Sequence, residues 1–415
     1  MSTTRAFPSG NAPVVGLTRP CVSELIPYTP GKPIEEVQRE FGLTDIVKLA
    51  SNENPLGPSP KAVEAICQAA EQVRLYPDND CYHLKRAVAR YLGVEVEQVL
   101  LGHGSDELIH NIGLAFLCPG DEVLMCTGPF SQYEFTAKLM EVTPVQVAQK
   151  NWRYDMAAMA DRLTERTKVV FIANPNNPTG SMVTRAELAR FMSAVPARTV
   201  VVMDEAYHEY VDDPEYPESL PLVREGRPVI VLRTFSKIYA LAGLRVGYGA
   251  TTAELAGAME RVREPFTVTS VGQAAALASL GDREQIERSA RLNRESRAYY
   301  CRELDRLGLG YTPSQANFVW VDVARDCQAV FDALLRRGVI VRTGDIFGAP
   351  THIRVTTGTP EQNQRFIAAL EKIITEMPPA RGEGRAFPGP AHSPGGKCAR
   401  PGGNARESCR VIALS

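Results

Sequence analysis

Four clusters of polar residues hold most of the side chains in this sequence that could do chemistry. Each cluster follows a short apolar run of the kind that forms a buried strand. Ligands of open α/β proteins bind outside the carboxyl ends of such strands, so we expect the four clusters to meet at one edge of a sheet. The clusters are residues 102–107, 174–180, 204–207 and 233–237.

Two of these clusters contain a residue whose charge is costly to bury. Asp204 ends an apolar run, and a poorly solvated carboxylate requires a partner, which is a cationic ring nitrogen, a helix N-terminus or a salt bridge. Lys237 also follows an apolar run. Most lysines are simple surface charges, but a desolvated lysine loses its proton more readily and can attack a carbonyl carbon.

The turn at residues 102–106 is a candidate anion site. It contains glycine and opens a helix, whose free amide groups and dipole favour a phosphate, although many strand–helix turns have this composition. A phosphate cradle, a carboxylate for a pyridinium nitrogen and a lysine for an aldehyde are together the three anchors that pyridoxal phosphate requires. Ser236 and Arg245 flank Lys237 and would add hydrogen bonds and charge to the phosphate site. The combination predicts pyridoxal 5'-phosphate as the cofactor.

The elements that must position these residues alternate between β and α along much of the chain. Their strands are almost continuously apolar, which predicts a mostly parallel central sheet with helices on both faces. After a long polar helix at 283–307, the pattern changes to a smaller α+β arrangement. The predicted strands of the sheet are 99–101, 122–125, 168–172, 199–203 and 228–232, and the helices are 60–71, 105–117, 185–193 and 270–279. The second set has strands at 317–323, 339–342 and 352–355 and helices at 327–337 and 359–376.

These patterns divide the chain into five segments. We expect a flexible segment over residues 1–24, an arm over 25–55 that joins the smaller domain, a large cofactor-binding domain over 56–282 and a small domain over 283–376. Residues 377–415 are rich in proline and glycine and carry six Lys or Arg residues against two Glu residues. This composition predicts a disordered tail, which is either a solvated appendage or a contact for an anionic partner.

Bulk properties argue against several classes of protein. The 415 residues have a net charge of −2, which disfavours a broad nucleic-acid surface. The N-terminal region has no continuous apolar stretch, and no apolar run approaches the roughly 20 residues of a membrane helix, so we expect neither a signal peptide nor a membrane span. The nine cysteines form no C-x-x-C pair, which favours reduced thiols in a cytoplasmic protein over a metal or redox site.

Three motifs resemble the class I and II aminotransferases, which are fold-type I pyridoxal-phosphate enzymes. They are N-P-N-N-P-T-G at 174–180, D-E-A-Y at 204–207 and T-F-S-K-I-Y-A-L-A-G-L-R-V-G-Y at 234–248, in the family's order and spacing. Within the family, L-I-P-Y-T-P-G-K-P-I-E-E-V at 25–37 and K-L-A-S-N-E-N-P-L-G-P-S-P at 48–60 resemble the histidinol-phosphate aminotransferase branch. The resemblance leaves both ends of the chain outside it.

The resemblance implies a role for each residue at a matching position. Lys237 would hold the cofactor aldehyde as a Schiff base and move a proton between the substrate α-carbon and the cofactor C4' atom. Asp204 would keep the pyridine nitrogen protonated. Asn177 and Tyr207 would bond the phenolic oxygen of the ring, and Phe130 would stack on the ring. The phosphate would be held by Ser105, Asp106, Ser236 and Arg245.

The resemblance also implies a substrate site and a partner subunit. Tyr76 would reach the phosphate of a neighbouring subunit, which implies a homodimer with shared active sites. Two arginines suit a phosphate or a carboxylate, because a guanidinium bonds such groups through two N–H groups. The residues that match the substrate's anionic end are Tyr28, Asn52, Arg342 and Arg354, and each of them could instead be a packing, turn or surface residue.

The reaction implied is amino transfer between L-histidinol phosphate with 2-oxoglutarate and imidazole-acetol phosphate with L-glutamate. The segment 263–270 has threonines where relatives often have asparagine, and His103 also stands where asparagine is common, although we expect His103 to face solvent. Other substrates therefore stay open. The alternatives are an aromatic amino-acid aminotransferase, a phosphothreonine decarboxylase and a non-catalytic binding protein on the same fold.

Overall fold

The computed structural model describes residues 16–27 and 31–379, so that Tyr28 and almost all of the predicted tail lie outside the described residues. None of the described helices is both long enough and apolar enough to span a lipid bilayer. The strands are β1 Val47–Lys48, β2 Val99–Gly102, β3 Glu122–Cys126, β4 Thr143–Val147, β5 Thr167–Ala173, β6 Val200–Asp204, β7 Val229–Thr234, β8 Gly247–Ala250, β9 Gly310–Thr312, β10 Phe318–Asp322, β11 Val339–Ile340, β12 Arg342–Thr343 and β13 His352–Thr356. The helices are α1 Ile34–Phe41, α2 Pro60–Ala70, α3 Tyr82–Leu92, α4 Gly104–Phe116, α5 Ser131–Leu139, α6 Met156–Asp161, α7 Arg185–Ala194, α8 Leu220–Arg224, α9 Ala253–Glu260, α10 Ser270–Leu280, α11 Arg283–Leu307, α12 Cys327–Leu335 and α13 Pro360–Glu376.

The central sheet of the described residues has seven strands in the order β2-β8-β7-β6-β5-β3-β4. Strand β8 runs antiparallel to both of its neighbours, and all the other neighbouring strands are parallel. The predicted mostly parallel α/β fold is confirmed. The sequence pattern does not predict β4 or β8, because β4 is partly exposed at the sheet edge and β8 contains two glycines and no β-branched residue.

Both faces of this sheet are buried, because alternate residues of its central strands enter different cores. On β6, Val201 and Met203 belong to one apolar cluster, and Val200 and Val202 belong to another. Strands that are apolar on both faces require helices on both faces. The polar residues that follow β5, β6 and β7 are thereby held at one edge of a rigid layer.

A second set of elements builds a separate apolar core. Four strands form an antiparallel sheet in the order β12-β13-β10-β9, and β1 pairs with β11. Helices α11 and α13 contribute Tyr300, Leu304, Phe366 and Leu370 to this core. The predicted strand at 339–342 is two short strands, because β11 pairs with β1 whereas β12 pairs with β13. The segment boundaries that the sequence suggests at residues 25, 56 and 283 stay predictions.

Candidate active site

A cleft opens at the carboxyl ends of β5, β6 and β7 and extends to strands β12 and β13. Its walls bring together residues from Gly31 to Arg354. Among the predicted site residues, Tyr76 does not line the cleft, and Tyr28 lies outside the described residues. The predicted residues that do line it are Asn52, Ser105, Asp106, Phe130, Asn177, Asp204, Tyr207, Ser236, Lys237, Arg245, Arg342 and Arg354.

Lys237 reaches this cleft from the turn that follows β7. Phe235 and Ile238, on either side of it, are buried and hold the turn in the core. The lysine side chain is half-buried, and its Nζ lies 5.7 Å from the centre of the Tyr207 ring. Ser236 beside it lines the same cleft. This partly shielded position suits an amine that acts as a nucleophile or carries a proton.

Asp204 is the last residue of β6 and is only 6% exposed. Its Oδ2 accepts a 2.6 Å hydrogen bond from the Tyr133 hydroxyl, and its Oδ1 accepts one of 3.2 Å from the Ala206 amide. Burial raises the pKa of Asp204 to about 6, although both hydrogen bonds oppose the rise. A cation placed beside this buried carboxylate would stabilise its charged form.

Tyr133 also lines the cleft, although no motif in the sequence predicts it as a site residue. Its buried ring lies parallel to the Phe171 ring with centroids 4.4 Å apart, and it meets the Phe130 ring edge-on at 5.7 Å. Burial and the charge of Asp204 raise the pKa of the Tyr133 hydroxyl well above its ordinary value, so that the hydroxyl keeps its proton and donates it. The sequence does carry a signal, since Tyr133 follows Phe130 by three residues at the start of α5, and residues three apart share one face of a helix.

The first turn of α4 forms a cradle of backbone amides. Gly104 has a φ of +77°, and an added Cβ would lie 2.7 Å from Nη2 of Arg245. Gly247 of β8 packs still closer, since an added Cβ there would overlap the amide nitrogen of Ser105. Arg245 forms a 3.0 Å ion pair with Asp106. Free amides at a helix start beside a guanidinium form a site for a phosphate.

The hydroxyl of Tyr207 is held through Asn52. Nδ2 of Asn52 donates to this hydroxyl at 3.0 Å, and Oδ1 of Asn52 accepts a 3.0 Å bond from the hydroxyl of Thr356. Asn52 has a φ of +57°, a left-handed conformation that asparagine adopts more readily than most residues. In this structure Asn52, a predicted substrate residue, contacts a predicted cofactor residue.

Arg354 joins β13 to the motif at residues 174–180. Its Nη1 donates to Oδ1 of Asn177, and its Nη2 donates to the carbonyl of Ala50 at 2.8 Å. Arg342 of β12 stands directly opposite Arg354 in the antiparallel pair, so both side chains lie on one face of the smaller sheet. Two guanidinium groups therefore line the same wall of the cleft.

Tyr76 and His103 lie on the surface. Tyr76 is 83% exposed, and its ring packs on that of Phe266 with centroids 4.9 Å apart. His103, which precedes α4, is exposed as expected. Neither residue lines the cleft of this chain.

Comparison with known proteins identifies the family. The family model for aminotransferase class I and II matches residues 44–370. The chain belongs to this aminotransferase family. The aminotransferase is 51% identical over 357 residues to the histidinol-phosphate aminotransferase of Moorella thermoacetica, across 86% of this chain and 92% of that one. It is 45% identical over 356 residues to the histidinol-phosphate aminotransferase of Caldicellulosiruptor saccharolyticus, across 86% and 99% of the two chains.

A solved structure supports both the predicted fold and the predicted cofactor. The aminotransferase superposes with a TM-score of 0.80 and 30% identity on histidinol-phosphate aminotransferase from Sinorhizobium meliloti in complex with pyridoxal-5'-phosphate, over 87% of this chain and 98% of that one. The predicted cofactor is confirmed. The site fits it, because Asp204 is a buried carboxylate that a ring nitrogen would stabilise and the cradle at α4 has no space for a Cβ at residues 104 and 247.

Proposed function

We propose that this aminotransferase moves an amino group between L-histidinol phosphate with 2-oxoglutarate and imidazole-acetol phosphate with L-glutamate. The observation that carries the proposal is the pair Arg342 and Arg354 on one wall of the cleft that holds Lys237. Histidinol phosphate has an amino group at one position and a phosphate at another, which matches a lysine and a pair of guanidinium groups. The names of relatives that are 51% and 45% identical support the same substrate.

The two arginines suit every substrate of this reaction. A guanidinium binds a phosphate or a carboxylate through two parallel N–H groups. Asn177 and the Ala50 carbonyl hold the Arg354 guanidinium before any substrate binds, which lowers the cost of ordering it. The phosphate of histidinol phosphate and a carboxylate of glutamate would meet this wall in turn, so one site would serve both halves of the reaction.

The cofactor and the residues of this chain would divide the chemistry. Pyridoxal phosphate, when bound, supplies an electron-accepting ring that stabilises negative charge at the substrate α-carbon. Lys237 would hold the cofactor aldehyde and would then carry the proton to and from the α-carbon as general base and acid. Asp204, oriented by Tyr133, would keep the proton on the ring nitrogen. Tyr207 and Asn177 would bond the phenolic oxygen.

The cofactor phosphate would lie at the first turn of α4. Ser105 and Asp106 would offer their backbone amides, Ser236 its hydroxyl and Arg245 its charge. The 3.0 Å ion pair with Asp106 keeps Arg245 beside this turn. Phe130, which lines the cleft, would cover one face of the cofactor ring.

We also propose that two copies of the chain form a homodimer with shared sites. Tyr76 and Phe266 form an aromatic pair on the surface, and Val73 and Leu75 nearby in sequence are exposed as well. Exposed apolar residues grouped in this way favour a protein–protein contact. In the dimer, Tyr76 would reach the phosphate site of the other subunit.

Buried cysteines with free thiols support a cytoplasmic location.

Visible absorbance of the purified protein with bound pyridoxal phosphate tests the proposed substrate. An amino donor that reacts at the site changes this absorbance. We expect L-histidinol phosphate to change it at a lower concentration than L-phenylalanine or L-histidinol, which lacks the phosphate. A lower effective concentration for L-phenylalanine would assign the enzyme to aromatic amino acids instead.

Lys237→Ala is the control for the site itself. Without the amine that holds the aldehyde, we expect turnover to fall by roughly a thousandfold or more and the absorbance of the bound cofactor to change. Normal turnover in this variant would contradict the role of Lys237. Absence of a visible band in the unmodified protein after addition of pyridoxal phosphate would contradict the whole site.

A further inference from the structure

The side-chain amide of Asn52 lies between two hydroxyl groups. Its Nδ2 donates to the Tyr207 hydroxyl at 3.0 Å, and its Oδ1 accepts from the Thr356 hydroxyl at 3.0 Å. Asn52 is 2% exposed and Thr356 is 3% exposed, so solvent competes little for these bonds. In addition, the carbonyl of Asn52 accepts a 2.9 Å bond from Nδ2 of Asn317. Both the backbone and the side chain of Asn52 are therefore fixed.

The hydrogen bonds from Thr356 through Asn52 to Tyr207 all run in one direction. The backbone N–H of Asn52 donates to Oγ1 of Thr356 at 3.0 Å. An N–H can only donate, so Thr356 accepts there, and its own O–H donates to Oδ1 of Asn52. With its Oδ1 on Thr356, the amide of Asn52 presents Nδ2 to Tyr207, whose oxygen accepts. The proton of Tyr207 is left for a different acceptor.

The acceptor follows from the place of Tyr207 in the cleft. Tyr207 lines the cleft together with Lys237, whose Nζ is 5.7 Å from the Tyr207 ring centre. On the proposed function, on which this inference rests, the phenolic oxygen of the cofactor lies beside Tyr207. We infer that Thr356 and Asn52 are positioning residues, which direct the Tyr207 proton toward that oxygen by setting the orientation of the Asn52 amide.

The opposite orientation of the amide would have the opposite effect. With Oδ1 facing Tyr207, the Asn52 side chain would accept the Tyr207 proton, and the phenolic oxygen would lose a donor. A donor stabilises negative charge on that oxygen and lowers the pKa at which the absorbance of the bound cofactor changes. Thr356 therefore acts on the cofactor through two intermediate side chains and without touching it.

Titration of the visible absorbance of the holoenzyme against pH tests this inference. Tyr207→Phe removes the donor, and we expect the midpoint to rise by about one pH unit. Thr356→Val keeps the shape of the side chain without its hydroxyl, and its midpoint should rise by a large part of that shift. The double variant should shift no further than Tyr207→Phe alone, because Thr356 acts through Tyr207. Thr356→Ser, which keeps the hydroxyl, should restore the midpoint of the unmodified protein.

The neighbouring threonine supplies a matched control. Thr357 is also 3% exposed, but its hydroxyl donates to Oδ1 of Asn293 at 2.8 Å. Thr357→Val should therefore lower the free energy of unfolding as Thr356→Val does, and leave the midpoint unchanged. If Thr356→Val does not fold, Asn52→Asp replaces it, because a carboxylate accepts the Tyr207 proton and the midpoint should again rise.

The outcomes separate this inference from the proposed function. A shift in Tyr207→Phe with none in Thr356→Val would overturn the inference and leave the cofactor site as proposed. Shifts that add in the double variant would also overturn it, because Thr356 would then act by another route. An unchanged midpoint in Tyr207→Phe would show that Tyr207 does not bond the phenolic oxygen. That result would overturn both the inference and the cofactor site as proposed.

Discussion

Replacement of Tyr133 by phenylalanine removes one hydrogen bond and little else. The Tyr133 ring is 1% exposed and stacked on Phe171, so a phenylalanine ring would occupy the same place. The lost bond is the 2.6 Å donation to Oδ2 of Asp204. A hydrogen bond to a charged group contributes about 1.5–3 kcal/mol, and one pKa unit corresponds to about 1.4 kcal/mol. We therefore expect the pKa of Asp204 to rise by about one to two units above its value of about 6.

The affinity for pyridoxal phosphate at different pH values measures this change. A charged Asp204 attracts the protonated ring nitrogen, and a neutral one does not. In the unmodified protein the affinity should fall as the pH falls through about 6. In Tyr133→Phe the same fall should begin about one to two units higher, close to neutral pH. Calorimetric titration of the cofactor-free protein over a series of pH values gives both profiles.

Tyr300→Phe is the matched control for this experiment. Tyr300 is also buried, and its hydroxyl donates to the carbonyl of Thr356 at 3.2 Å, away from Asp204. It should lose a similar amount of stability and keep the pH profile of the unmodified protein. Coincident profiles for Tyr133→Phe and the unmodified protein would refute the link between Tyr133 and Asp204. An equal shift of the pH profile in Tyr300→Phe would show that the shift reflects a general loss of packing and not the bond to Asp204.

Substitutions of Gly247, Arg342 and Asp204 test three other parts of the site. Gly247→Ala should weaken binding of pyridoxal phosphate roughly tenfold or more, because the added Cβ overlaps the cradle and overpacking costs about 1–3 kcal/mol. Equilibrium dialysis measures this affinity. Gly257→Ala is the control, since no atom lies within 4 Å of its Cβ, and it should bind the cofactor normally. Arg342→Ala should raise KM for L-histidinol phosphate roughly 10- to 100-fold in steady-state assays, through loss of a charge-assisted bond, and unchanged KM would exclude Arg342 from the substrate site. Because the folded pKa of Asp204 is raised from 3.8 to about 6, the folded state binds its proton more tightly. The free energy of unfolding of the cofactor-free protein should therefore fall by about 3 kcal/mol as the pH rises through this range, and urea titrations of Asp204→Asn should lack that fall.

The residues around the cofactor could be predicted from the sequence because they follow apolar strands in long motifs. Asp204 and Lys237 each follow a run of apolar residues on a strand, and parallel strands bring such ends to one edge. The fold class follows from the same alternation of strands and helices. Strand β8 is an exception, because Gly247 permits the close approach to α4 and Gly249 the close approach to β7, and both glycines weaken the strand signal.

The hydrogen bonds that orient these residues could not be predicted in the same way. Tyr133 lies in a helical stretch and Thr356 at the end of a strand, where both residue types are common in ordinary packing. The partner of each hydroxyl depends on how α5 lies against β6 and how β13 lies against Asn52. Periodicity in a sequence describes each element separately and carries no such distances.

The two hydrogen-bonded residues Asn52 and Thr356 are 304 positions apart in the chain. The ribosome synthesises Asn52 long before Thr356. Contacts between residues so far apart in the sequence form late in folding. A nascent chain that has reached β8 already contains α4, Asp204 and Lys237, but it contains neither β12 nor β13. We therefore expect the complete site, with Tyr207 held through Asn52 and Thr356, to form only after β13 has been synthesised.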